Sequence, residues 1–331
     1  MGREPAVSED LTPLAPTATL SERLRAEIEA AQKTMKAAHA KATLRAYASD
    51  WVSFCEYCEE RNFEALPAHP DVVALYLERQ AREGRKTSTV GRRLAAINRY
   101  HRDAAIAPPS ARDAAGTIAT MLKGIRNTYG SKVQQKAPAE VDVLTSMLAT
   151  IEGMGLRAVR DRAILAIGFA SALRRSELVA VQCEEMSFVN SGLRIFIPRS
   201  KGDQGAQGTT IAVPNGRSIR PVNLLRHWLH QAGHTEGPVF RRLTRSDALT
   251  DAPMTDKSVA RLVKAAAAAA GFDPALYSAH SLRAGFLTSA AASKASLFKM
   301  KDHARHKSLD TVAGYVRDAS LFDDHAGDEI L

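Results

Sequence analysis

The sequence predicts a mainly α-helical protein with a small β component, arranged in two domains. Three observations carry this. Apolar residues recur at spacings of three and four through most of the chain. One stretch, 193–198, instead alternates and is rich in β-forming residues, and a glycine-rich turn and a second β-rich run, 209–214, follow it. Finally, 331 residues exceed what one core commonly serves, at about 100–200 residues per domain.

Residues 1–20 hold Pro5, Pro13 and Pro16 among Ser, Thr and Ala, and read as a disordered tail. From Ser21 a helix runs to about Ala40, with Leu24, Ile28 and Ala31 on one face. A second spans about Ala42 to Arg61 and carries Leu44, Tyr47, Trp51, Phe54, Cys55 and Cys58. Pro67 and Pro70 break the chain, and Asp71 is placed to cap a short helix with Val72, Val73, Leu75, Tyr76 and Leu77. Thr87-Ser88-Thr89 opens the next helix. Its inward face holds Val90, Leu94, Ile97, Tyr100 and His101, with Arg92, Arg93, Arg99 and Arg102 largely off that face. Pro108 and Pro109 end it, and a further helix over about 112–129 carries Lys123 and Arg126. The first domain, 21–130, is thus all-helical. Residues 131–138 are polar, basic and broken by Pro138, as a linker would be. The second domain, 139–331, has helices over about 140–151 and 157–170, the hairpin, and then helices with short loops.

Charge is unevenly spread. Residues 1–80 have a net charge of −4, residues 81–136 carry 12 Lys and Arg against 3 Asp and Glu, and the remainder has a net of +4. A 56-residue stretch of this kind suits a partner with regularly spaced phosphates, although a solubilising face has the same composition. Three cysteines, Cys55, Cys58 and Cys183, argue against a disulfide framework and for a reducing compartment. The N-terminus lacks an apolar signal segment, and the alanine run at 265–270 is too short to span a bilayer. These features predict a cytoplasmic protein without a membrane partner.

The chemistry-bearing residues lie in the second domain. ALRRSEL (172–178) sets two arginines inside an apolar stretch, where each needs an anion or a carboxylate; an ion pair of Arg174 with Glu177 would satisfy one. Lys201 follows a strand at the start of the hairpin turn. His280 and Arg283 share one side of a helical turn. His306 and Tyr315 stand nine residues apart, with Ser308 between them as an N-cap, and Gly314 before Tyr315 permits close backbone approach. Singly these are common features. Their co-occurrence and order suit phosphoryl transfer without metal or other cofactor: arginines grip non-bridging oxygens, lysine and histidine move protons, and tyrosine is a nucleophile.

From about Leu20 to the C-terminus the chain resembles the tyrosine recombinase (phage integrase) family, including Cre-like enzymes. ALRRSEL, the lysine of RSKGDQG, HSLRAG and the closing His306-x8-Tyr315 fall in family order. The resemblance implies that Tyr315 is the nucleophile, that Arg174, His280, Arg283 and His306 serve the phosphate, that Lys201 is the hairpin lysine, and that Glu177 is the supporting acid. The R-x-x-E spacing selects Arg174 over Arg175. The first domain looks like the family's core-binding domain. On that reading its basic residues Lys86, Arg92, Arg93, Arg99, Lys123 and Arg126 are candidates for DNA contact. The resemblance further implies a clamp around double-stranded DNA target sites, a homotetramer on that DNA, nucleoid association, and a tail at 321–327 that docks on a neighbouring protomer.

One departure stands out. The family's usual Leu-Gly-His is Ala304-Arg305-His306 here, with Lys307 after it. Two further groups are set aside. Cys55-x-x-Cys58 lies on an apolar helix face without a second pair, as core residues do. His227, His230 and His234 recur at helical spacing without a partner acid, as on a part-exposed face. A type IB topoisomerase and a telomere resolvase would share the chemistry; a DNA-binding regulator would not need the whole constellation.

Overall fold

The computed structural model describes residues 22–37, 41–130, 136–198 and 208–319. The chain divides into two compact units, 1–133 and 134–331. Among the described residues no helix is long and apolar enough to cross a membrane.

Among the described residues of the first unit six helices follow in order: α1 (Glu22–Ala37), α2 (Lys41–Glu59), α3 (Pro70–Arg82), α4 (Thr87–Asp103), α5 (Pro109–Arg112) and α6 (Thr117–Tyr129). Phe54, Tyr57 and Cys58 of α2 meet Val73, Tyr76 and Leu77 of α3, Val90 and Ile97 of α4, and Ile118 and Ile125 of α6. The three-and-four spacing is what puts these residues on facing stripes. Asp71 is not the cap of α3. His69 is, its Nδ1 accepting the Asp71 N–H, with Pro70 occupying the first helical position where no donor is needed. The helix expected over about 112–129 begins instead at Thr117, after a short α5 that ends at Arg112. Gly116 takes a left-handed conformation (φ 69°), and the Asp113 carboxylate accepts the N–H groups of Thr117 and Ile118, each at 2.8 Å.

The largest difference from the sequence reading is Arg93. It points inward, and its Nη1 donates to Ser53 Oγ at 2.9 Å and to Tyr76 Oη. Its Nε lies 3.7 Å from buried Asp50. Arg92 completes the group by donating from Nε and Nη2 to the same carboxylate at 2.7 and 3.1 Å. A guanidinium can enter the core because Asp50 supplies the counter-charge and two hydroxyls accept its protons. His101 is fully buried for a similar reason: Nε2 accepts the Ala68 N–H at 2.9 Å, so Nδ1 carries the proton and donates to Ile97 O at 2.8 Å.

The second unit is built on α8 (Leu156–Ala170), whose residues 163–169 are all buried. It is preceded by α7 (Val141–Ala149) and followed by the one-turn α9 (Arg175–Leu178). An antiparallel sheet of β1 (Met186–Val189), β2 (Gly192–Ile197) and β3 (Thr209–Pro214) comes next, in that spatial order. Leu193 pairs with Val213 and Ile195 with Ile211, and these four face the core while Arg194 and Phe196 face out. Then come α10 (Pro221–Ala232), the hairpin β4 (Arg241–Leu243) and β5 (Leu249–Pro253), α11 (Asp256–Ala269), α12 (Ala279–Ala292), α13 (Leu297–Ala304) and α14 (Leu309–Ala319). Neither β1 nor the β4–β5 hairpin was expected: four and three residues are too few for alternation to register. Trp228 of α10 is fully buried and donates to Val239 O at 2.7 Å. Gly285 of α12 packs against the Ala139 backbone, where a Cβ would fall 1.9 Å from the carbonyl oxygen.

Candidate active site

The site is assembled from loop ends and helix starts. After α8 the chain turns sharply, with Ala172 in the left-handed region (φ 48°), and Arg174 becomes the N-cap of α9. Glu177, three residues on, turns back: Oε2 accepts the Arg174 N–H at 2.9 Å, and Oε1 accepts Arg174 Nη1 at 2.7 Å. The ion pair considered from sequence therefore exists, and Arg174 keeps a part-exposed side chain beside it. Arg175 turns away to Asp256 at 3.1 Å.

Ser278 caps α12 by accepting the His280 N–H, which sets His280 and Arg283 in the first turns of that helix. Arg283 is 2 % exposed. Its Nη1 donates to Ala172 O at 2.6 Å and its Nη2 to Ala304 O. A guanidinium has five N–H donors, and these two bonds use two of them. Burial, then the like charges of Arg174 and Arg305, outweigh Glu177 and lower the Arg283 pKa to about 10, so the group stays charged at neutral pH.

Arg305 ends α13 in the left-handed conformation (φ 54°, ψ 47°), and the His306 N–H closes the turn onto Lys301 O at 3.0 Å. His306 Nε2 is buried with no hydrogen-bond partner among the described residues. Burial first, then Arg283, Arg174, His280 and Arg305, depress its pKa to about 4. His280 is depressed too, by the surrounding protein and then by Arg283 and Arg174, though its side chain keeps solvent access. Both imidazoles are thus neutral near pH 7 and able to accept a proton. Glu177 runs the other way. Burial alone would raise its pKa, but the Arg174 N–H and the Arg305 and Arg174 guanidiniums bring it below the ordinary carboxylate range. Tyr315, on α14, packs against the cluster of Ala172, Leu287, Met300, Ala304 and Val312, within electrostatic reach of Arg283. Gly314 beside it has open space around its Cα, so no close backbone approach is made there.

Arg174 and Arg305 therefore bond one carboxylate, Glu177, and Arg283 lies within electrostatic reach of it, a cationic cluster accompanied by two neutral imidazoles and a phenol. That set accommodates a tetrahedral anion and moves protons around it. Sequence reasoning had placed Arg174, Glu177, His280, Arg283, His306 and Tyr315 here. It missed two contributors. Arg305 was noted only as an oddity, and its partner Glu177 is 128 residues away. His303, whose Nε2 meets Ala170 O at 2.9 Å, fastens α13 to the end of α8 and carried no motif. Lys201 and the tail at 321–327 lie outside the described residues.

The remaining candidates lie elsewhere. Lys86, Lys123 and Arg126 are exposed on the first unit. Arg92 is tied to Asp50, Arg99 to Asp103 at 3.0 Å, and Arg93 is internal, so its expected outward placement is corrected. Cys58 is buried, and burial first raises both the Cys58 thiol, to about 11, and that of Cys55, which suits packing rather than reactivity. His234 is not on the helix with His227 and His230. It follows Gly233 beyond α10, buried against Pro238 O at 3.1 Å.

Residues 139–321 match the phage integrase family, and residues 32–106 match the N-terminal SAM-like domain of phage integrases. The first match alone spans more than half the chain, and the chain belongs to that family; it is an enzyme of the tyrosine site-specific recombinase class. It is 35% identical over 298 residues to the integrase/recombinase xerD homolog of Selenomonas ruminantium, covering 89% of this chain and 87% of that one. It is 29% identical over 284 residues to the tyrosine recombinase XerC of Pelobacter propionicus, covering 82% and 83%. Among solved structures, a lambda integrase dimer bound to a COC' core site is similar with a TM-score of 0.57 at 18% identity, covering 89% of this chain and 95% of that one. At that identity the likeness is one of fold.

Proposed function

We propose that this protein cuts and rejoins double-stranded DNA at specific target sites through a 3′-phosphotyrosyl intermediate, with strands exchanged between two sites in a homotetramer. The observation that carries this is the cationic cluster of Arg174, Arg283 and Arg305 with His306, whose Nε2 has no partner among the described residues, and with Tyr315 within electrostatic reach of Arg283. Tyr315 Oη attacks the scissile phosphorus, forming the P–O bond to tyrosine while the bond to the 5′-oxygen breaks. Neutral His280 takes the phenolic proton. Lys201 returns a proton to the leaving 5′-oxygen. Arg174, Arg283 and His306 stabilise the charge on the non-bridging oxygens, and Glu177 orients Arg174. A phenol of ordinary pKa ~10 needs cationic neighbours to react near neutrality. The covalent ester conserves the energy of the broken bond, so rejoining is the reverse reaction.

On the first unit, Lys86, Lys123 and Arg126 are positioned for phosphate contact, and Arg92 and Arg99 can exchange their carboxylate partners for phosphate. Arg93 supports that surface from inside. The experiment that tests the chemistry is capture on a nicked suicide duplex. Its sequence would be selected from a randomised duplex pool by binding. Tyr315→Phe is expected to bind as the wild type does and to form no covalent complex. Covalent capture by Tyr315→Phe would overturn the assignment and turn attention to Tyr277, which is buried in the adjoining core.

A further inference from the structure

Arg305 is a residue that the local backbone does not favour. The end of α13 needs a left-handed residue, a conformation that glycine adopts without strain and a residue with a Cβ does not. Yet an arginine stands there, and its side chain is not in solvent. Arg305 Nη2 donates to Glu177 Oε2 at 2.7 Å with both side chains at least nine-tenths buried, and Nη1 donates to His303 O at 3.2 Å. The Glu177 carboxylate is thereby divided. Oε1 holds the Arg174 guanidinium, and Oε2 holds the Arg174 backbone and Arg305.

We propose that Arg305 is a positioning residue for strand cleavage, fixing the Glu177 carboxylate so that Arg174 and His306 are held in one geometry at the phosphate. It joins the loop after α8 to the loop after α13, next to the two other fasteners between the same segments, Arg283 and His303. Without Arg305, Oε2 keeps one donor, and Glu177 can rotate and carry the Arg174 side chain with it. The backbone at 305 also sets His306, one residue on. Arg305 thus replaces the freedom of a glycine with a cross-link to the residue that aims the first arginine.

The proposal rests on the reading of this pocket as a strand-transfer centre. The test is single-turnover cleavage at saturating DNA by the full-length chain on the selected suicide duplex. Affinity is measured in parallel, and Arg305→Gly, Glu177→Ala and the double variant are compared. Arg305→Gly is expected to bind DNA as tightly as the wild type and to cleave on the order of 10- to 100-fold more slowly, the scale of a displaced catalytic group. Glu177→Ala is expected to be slow as well. Adding Arg305→Gly to it should cause no further loss, because Arg305 acts through Glu177. Arg305→Lys should recover part of the rate, since it keeps the charge but not the fork, and it carries the comparison if the glycine variant does not fold. A wild-type rate for Arg305→Gly would make Arg305 a helix end and nothing more, overturning the proposal. Losses that multiply in the double variant would make it act independently of Glu177, which also overturns it. If the wild type itself traps no DNA, the reading of the pocket fails, and this proposal with it; if the wild type traps DNA and Arg305→Gly matches it, only this proposal fails.

Discussion

Replacing Gly285 by alanine adds one methyl group to α12, and the structure gives its cost. The new Cβ would lie 1.9 Å from Ala139 O and 2.3 Å from the carbonyl carbon. Ordinary contact is about 3.5 Å, so helix and chain must part by about 1.5 Å. Neither side can rotate out of the way, because both are backbone, and the Ala139 N–H is bonded to Ser281 O of the same helix at 2.9 Å. Overpacking typically costs about 1–3 kcal/mol, and alanine's helix propensity returns about 1. With backbone as the obstacle the upper end applies, for a net loss of about 2 kcal/mol. Arg283 rides on the same helix, and its 2.6 Å bond to Ala172 O does not survive such a shift. Cleavage should therefore fall even where the protein remains folded. Urea unfolding followed by Trp228 fluorescence, in a Trp51→Phe background, reads the second unit alone. Gly168→Ala in α8 is the control. Its Cβ would meet only the ends of Leu282 and Leu178 side chains, at 2.9 and 3.1 Å, which can turn aside. Equal stability of the two variants would refute the reasoning.

Acid should weaken the second unit in a defined window. The folded-state pKa of His306 is near 4, and those of His280 and His303 are also depressed, burial being the first cause in each. The unfolded chain then binds more protons below about 6.5, so stability is complete above that pH and is lost as the pH falls towards 4. Discounted for partial solvent access, His306 accounts for about 1–2 kcal/mol. His306→Gln should flatten part of the slope in urea melts at pH 7.5 and 5, and a flat wild-type profile would contradict the assignment. Arg93→Ala strips Ser53 and Tyr76 of a donor and Asp50 of a counter-charge, and should destabilise the first unit by about 2 kcal/mol, read by Trp51 fluorescence in a Trp228→Phe background; a neutral result would return Arg93 to the surface. Lys123→Ala should leave stability unchanged and lower the slope of log affinity against log salt by about one unit for any DNA sequence; an unchanged slope would remove Lys123 from the interface.

The motifs around the pocket were legible because each is local. Glu177 lies three residues from Arg174, His280 three from Arg283, and Ser308 caps the helix bearing Tyr315 through the Asp310 N–H. Helix faces were legible wherever an apolar stripe met another, as in α2, α3 and α4. What failed was non-local or too short. Arg93 reads as surface until Asp50, 43 positions earlier, supplies a buried counter-charge. Arg305 reads as a misplaced glycine until Glu177 is brought to it. The three-residue strand β4 contains two arginines and carries no alternation a sequence can display. Gly314 would permit a close backbone approach, but it borders open space, since glycine before a functional residue has no single meaning.

Arg283 holds its neighbours by their main chain: both carbonyls it grips, those of Ala172 and Ala304, exist whatever residue occupies those positions. The constraint on sequence is therefore one-sided. Position 283 admits nothing shorter or less forked than arginine, whereas positions 172 and 304 are restricted only by the room for a small side chain and, at 172, by its left-handed backbone. A library randomised at these three positions and sorted for activity should return arginine at the first, Gly, Ala or Asn at 172, and small residues in general at 304. Recognition through the peptide backbone thus lets the two loops drift in composition while the pocket they frame keeps its shape.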